Sequence, residues 1–163
     1  MKVKNLNEAV VHYSKKNLPQ LPNKIERIRS KETYLDYILA GRPKAAKIAF
    51  REAELRIIAR LDQCESAEEI SGICYNTFGK IPGIGEQTIS DYIYHALFIR
   101  DINPESNCIS LLTTTARKKL SNHGYIKKNT IILGEEKSLL NGFDTYAIVD
   151  FANKHHQSFK QEK

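Results

Sequence analysis

Gly79-Lys80-Ile81-Pro82-Gly83-Ile84-Gly85-Glu86-Gln87-Thr88-Ile89 is the stretch on which the fold turns. Gly83 and Gly85 bracket one apolar residue, and Pro82 fixes the approach to them. Glycine at both positions lets the backbone pass through positive φ without a Cβ in the way. Upstream, Ser66-Ala67-Glu68-Glu69 reads as a capping box. It starts a short helix that should bury Ile70, Ile73, Cys74 and Thr77, with Gly79 at its C′ position. Downstream, a helix is expected from about Glu86 to Arg100. The turn therefore joins two helices, with Ile84 pointing inward to pin them. The amides of Gly83 and Gly85 lead straight into a helix N-terminus, and free amides at the positive end of a helix dipole suit an anion such as phosphate.

Helical signals continue on both sides. Asn7 can cap a segment in which Leu6, Val10 and Tyr13 recur at helical spacing. Pro19 and Pro22 then break the chain. Ile25, Ile28, Leu35, Ile38 and Leu39 mark a second helical stretch, which Ser30 can restart and Gly41 ends. Pro43 is expected to open a long helix from its first turn. There Ala46, Ala49, Phe50, Ala53, Ile57 and Leu61 form one apolar stripe, with Lys44, Lys47, Arg51 and Arg56 largely off it. Past a loop at 101–107, residues 108–120 read as helix, and β-branched residues within 125–133 leave room for one short β element. Two last helical pieces are expected at 135–141 and 144–155. The expected fold class is all-α: a single helical domain over 1–156, followed by a flexible tail at 157–163.

The chain has 163 residues, enough for a core without disulfides or a metal. It carries 25 Lys+Arg against 19 Asp+Glu, a net charge of +6 that favours a polyanionic partner. The three cysteines, Cys64, Cys74 and Cys108, form no C-x-x-C pair, which argues against a zinc site and fits a reducing, cytoplasmic setting. Neither a signal peptide nor a membrane span is expected.

The segment Ile81-Pro82-Gly83-Ile84-Gly85, with Thr88 following, resembles a helix-hairpin-helix motif, a DNA-binding element without sequence preference. The resemblance covers residues 68–100. It implies DNA as partner and function. The amides of Gly83, Gly85, Gln87 and Thr88 would meet consecutive phosphates of one strand, with Lys80 as the cation at the turn. The carbonyls of Gly79, Ile81 and Ile84 occupy positions that often hold K+ or Na+ in that family. No other cofactor is implied. A plainer reading is a tight hairpin that packs two helices and serves a protein–protein adaptor. Glu86 beside the turn, and the acidic run Asp62, Glu65, Glu68, Glu69, speak for it.

The same motif occurs in a superfamily of DNA glycosylases, which this chain resembles only distantly. Bifunctional members carry a Schiff-base Lys where this chain has Gln87, and an amide forms no imine with a sugar aldehyde. Their catalytic Asp stands in a Val-Asp-Thr-like string. The corresponding region here is Asn103-Pro104-Glu105-Ser106-Asn107, and Asp101 and Glu105 sit in no matching string. A four-cysteine iron–sulfur pattern is absent, as is a Walker A string. No catalytic residue is assigned, and a repair enzyme or nuclease with an unrecognised site stays as an alternative. His155 and His156 are adjacent and face different ways on a helix, and His12, His95 and His123 show no metal spacing.

A second basic surface runs from Ser106 to Gly134, with Arg117, Lys118, Lys119, Lys127 and Lys128 and no acid. These five are expected to contact phosphates, the plainer alternative being a solvated basic face. The string Thr113 to Leu120, followed by Gly124-Tyr125-Ile126, also looks like the recognition helix and first strand of a winged helix. Residues 142–151 echo 83–92 loosely, as a degenerate second hairpin would. Tyr94 and Phe98, four residues apart, are expected in the core, and an exposed aromatic on this helix could stack on bases. The expectation is a DNA-binding protein of repair, recombination or mobile-element maintenance. It carries a geometric condition: basic segments must fold beside Gly83-Ile84-Gly85.

Overall fold

Glycine and proline breaks divide the chain into helices as their chemistry dictates. The computed structural model describes residues 33–102, 112–122, 126–127 and 130–131. Helix α1 (Tyr34–Ile38) buries Leu35 and Ile38. Gly41 at φ +78° then turns the chain. Pro43 stands at the cap of α2 (Lys44–Asp62) and not inside it. Its ψ of 148° is extended, and its carbonyl accepts the Lys47 N–H at 3.0 Å.

The buried face of α2 is the expected stripe: Ala46, Phe50, Ala53, Ile57 and Leu61. Ala49 is half-buried. Glu54 joins this face at only 6% exposure. Ser66 caps α3 (Ala67–Phe78), its hydroxyl accepting the Glu69 N–H at 3.2 Å. The Glu69 carboxylate returns to the Glu65 N–H, one residue before the cap, at 3.4 Å and to the Ser66 hydroxyl at 3.1 Å. Ile70 and Cys74 are buried as expected, whereas Ile73 and Thr77 are half-buried. The large core residue here is Phe78, stacked on Phe50 with ring centroids 3.9 Å apart. Tyr92 meets both rings edge-on, at 5.4 and 4.9 Å.

Helix α4 (Glu86–Ile99) is buried along its whole middle, from Thr88 to Leu97. Phe98 departs from expectation at 41% exposure, since the buried run stops one residue before it. The helix ends in a Schellman turn. Ile102 N–H donates to Leu97 C=O at 3.0 Å and Asp101 N–H to Phe98 C=O at 3.2 Å, with Asp101 at φ 54°. Helix α3 packs on α2 and α4, and α1 packs on α4.

Helix α5 (Thr114–Asn122) begins at Thr114 because Thr113 caps it, Oγ1 accepting the Ala116 N–H at 3.2 Å. Residues 112 and 113 are therefore not helical, contrary to the expected 108–120 span. Strands β1 (Ile126–Lys127) and β2 (Thr130–Ile131) pair antiparallel, Ile126 opposite Ile131, where the short β element was expected. The described residues are all-α apart from this pair. The chain divides into two compact units. One, Glu26–Asn103, holds α1 to α4, and the other holds α5, β1 and β2. The expected helices near Asn7 and over 135–155, the histidine pair, the echo at 142–151 and the tail lie outside the described residues. No described helix is long and apolar enough to cross a membrane.

Candidate functional site

The turn between α3 and α4 is built by short-range hydrogen bonds. Gly79 N–H donates to Tyr75 C=O at 3.1 Å, Ile81 N–H to Phe78 C=O at 3.1 Å, and Ile84 N–H to Ile81 C=O at 3.2 Å. Two of its three glycines are required by the fold, for different reasons. Gly83 alone takes positive φ, at +88°. Gly79 is right-handed at φ −64°, so it is not the left-handed C′ residue expected. What excludes a side chain there is contact, since a Cβ would lie 2.5 Å from the Tyr75 carbonyl oxygen. Gly85 caps α4 in extended backbone, φ −95° and ψ 170°. A Cβ at Gly85 would meet nothing within 4 Å. The expectation that both Gly83 and Gly85 need positive φ therefore holds for Gly83 only.

The turn is open to solvent at Lys80, Pro82, Gly83, Gly85 and Glu86. Ile84 is half-buried. The Gly83 and Gly85 amides donate no hydrogen bond among the described residues. The Gln87 side chain is held along the helix, its Nε2 donating to Asp91 Oδ1 at 3.1 Å. Thr88 is buried at 2% exposure, and its Oγ1 has no partner among the described residues. Of the three carbonyls considered for a monovalent cation, Ile81 already accepts the Ile84 N–H. Those of Gly79 and Ile84 accept none among the described residues.

The surroundings of the turn were not read from the sequence. The missing Cβ of Gly83 faces α2: the position it would take is 3.2 Å from Ala46 Cβ and 3.4 Å from Pro43 Cγ. The start of the basic helix is thus packed on the turn. The acidic run at 62–69 lies at the far end of α2 and the start of α3, where Asp62 pairs with Arg100 at 2.8 Å.

The other predicted cations belong to the second unit. Arg117 and Lys118 are exposed on α5, and Lys119 is half-buried. Lys127 stands on β1 opposite Thr130. Lys128 lies outside the described residues.

A buried polar cluster went unpredicted. Tyr34 donates to Glu54 Oε2 at 2.6 Å, and Tyr34 stacks on His95 with centroids 3.5 Å apart. Tyr92 also hydrogen-bonds Glu54. Burial raises both tyrosine pKa values above the ordinary range, and the neighbouring carboxylate adds to the effect. The signal was available: Glu54 follows Phe50 by four and precedes Ile57 by three, inside the apolar arc. Among the described residues no group of His, Cys, Asp and Glu is placed to hold a metal ion. Comparison of the chain with family models, curated proteins and solved structures gives no match.

Proposed function

We propose that the α3–α4 turn is a helix-hairpin-helix and that the protein binds the DNA backbone through it without reading sequence. The observation that carries this reading is the pair of undonated amides at Gly83 and Gly85, solvent-open and directly before the N-terminus of α4. Two N–H groups with one residue between them, before the positive end of a helix dipole, match a phosphate oxygen in charge and hydrogen-bonding sense. The amides of Gln87 and Thr88 belong to the same first turn and extend the contact along one strand. Lys80 adds a point charge. A K+ or Na+ ion held by the carbonyls of Gly79, Ile81 and Ile84 would neutralise part of the phosphate charge. The phosphate-contacting role of Arg117, Lys118, Lys119, Lys127 and Lys128 belongs to this proposal, as does a role in DNA maintenance. Gln87 offers no amine for lyase chemistry, so the reading is one of binding.

Gly85 is the position at which to test it. Substitution of Gly83 would disturb α2, so a loss of binding there has two causes. At Gly85 the backbone is extended and a side chain has room. Gly85→Thr also leaves cap quality about equal. The expected result is an unchanged melting temperature and duplex affinity reduced at least about tenfold, because the side chain stands where the phosphate approaches. Unchanged affinity would place the contact elsewhere. Absence of duplex and single-strand binding at low salt would overturn the DNA reading altogether.

A further inference from the structure

We infer that the first turns of α2 form a second phosphate-binding arm beside the hairpin, made by Arg42, Lys44 and Lys47 together with Lys80. This rests on the DNA reading for the identity of the partner and extends it to a surface on a different helix. The arm takes phosphates flanking those held by the hairpin amides.

The arm is placed by the packing of the hairpin. Gly83 has no side chain, and the space is filled by Ala46 and Pro43 of α2. Arg42 and Lys44 flank Pro43, and Lys47 follows Ala46, so these cations are carried to the edge of the turn that holds Lys80. Arg42, Lys44 and Lys80 are exposed and Lys47 is half-buried. None of the four makes an ion pair among the described residues. Arg51, the next cation on α2, is already paired, its Nη2 lying 2.6 Å from Asp36. Beyond it Glu52 is exposed, so the stretch of α2 without an acid ends there.

This arrangement is electrostatically unfavourable in the free protein. Helix α2 has no acid in its first turn, and Lys44 and Lys47 stand at the positive end of its dipole. The N-terminus of α4 adjoins through Gly83-Ile84-Gly85. Residues 37–51 contain four cations and no acid. Glu86 is the acid that α4 supplies in its first turn. Cations gathered at the N-terminus of α2 and on the adjoining turn, with Glu86 as the acid beside them among the described residues, are relieved by an external polyanion.

Phosphate contacts by lysine are counted by the salt dependence of binding, with a slope of about 0.9 per released counterion on duplex DNA. The test compares wild type with Lys44→Gln/Lys47→Gln on a short duplex over a range of KCl. The slope of log K against log salt should flatten by about 1.8. A parallel thermal-shift series uses tripolyphosphate, which should raise the melting temperature of wild type more than that of the variant. Lys44→Glu, which puts an acid in the first turn, should raise the melting temperature of the free protein while weakening duplex binding. Duplex binding with an unaltered slope overturns the arm and leaves the hairpin reading intact. Failure of wild type to bind DNA overturns the hairpin reading. The arm then stands or falls on the tripolyphosphate difference, an equal shift in both proteins overturning it.

Discussion

Single positions in the α3–α4 turn separate what holds the fold from what faces outward. Gly83 is held on both counts, by a φ of +88° and by the 3.2 Å approach of Ala46 Cβ. A left-handed conformation costs an L-residue roughly 1–2 kcal/mol. The added methyl must also displace α2 slightly. Gly83→Ala should therefore lower unfolding stability by about 1–3 kcal/mol, measured by urea titration, and a neutral result would mean that α2 yields without strain. Gly85 has neither constraint, so the fold of the free protein does not explain the glycine there. Glu54 shows the opposite case, a charge that the fold encloses. Its carboxylate answers two phenolic hydroxyls, and a buried donor left without an acceptor costs about 1–3 kcal/mol. Removing Glu54 would orphan both tyrosines. That cost makes the cluster part of the core and gives no ground for assigning it chemistry.

At the scale of elements, helix ends carry most of the information that sequence offers. Ser66 and Glu69 are recognisable because a capping box needs two residue types at one spacing; the structure forms the Ser66 cap and turns the Glu69 carboxylate back to the Glu65 N–H. Ser66→Ala should cost about 1 kcal/mol. The opposite end of the pair invites the reverse change. Asp101 occupies the left-handed position of the Schellman turn, where glycine is favoured, and it places an acid at the negative end of α4. Asp101→Gly should raise stability by up to about 1 kcal/mol, seen as a higher melting temperature; a decrease would mean that the Asp101 side chain holds the turn. The apolar stripe of α2 was legible for the same reason as the caps, since it follows from periodicity within one helix. Phe78 was not, because its burial depends on stacking with Phe50 from another helix. The start of α5 was misplaced because Thr113 looks like a helical residue until its hydroxyl is seen capping Ala116. Least legible was the meeting of α2 with the turn. A glycine shows that space is needed, and only the fold shows that Pro43 and Ala46 take it.

The net charge of +6 belongs to the whole molecule, yet only its distribution bears on function. Within the unit Glu26–Asn103 the start of α2, one of the two basic stretches, lies against Gly83, whereas the cations at 117–128 belong to the other unit. The core of that unit imposes a second property, an alkaline limit to stability. Burial pushes the Cys74 thiol up to about 12. Tyr34 and Tyr92 are likewise raised, chiefly by burial and further by Glu54. In the unfolded chain such groups ionise near their ordinary values, about 8.5 for a thiol and about 10 for a phenol. Above those values the unfolded chain binds fewer protons than the native one, so unfolding becomes easier as pH rises. Stability should be flat with respect to these groups below about pH 8 and should fall from there toward the raised native values. Urea titrations at successive pH values would show the decline. Cys74→Ala should remove its earliest part, between the ordinary thiol and phenol ranges, whatever that variant costs at neutral pH. A wild-type profile still flat past the phenol range would contradict the burial of Cys74 and Tyr92 and the partial burial of Tyr34. A decline identical in Cys74→Ala would assign it to the tyrosines around Glu54 and to Cys64, whose thiol is also raised by burial.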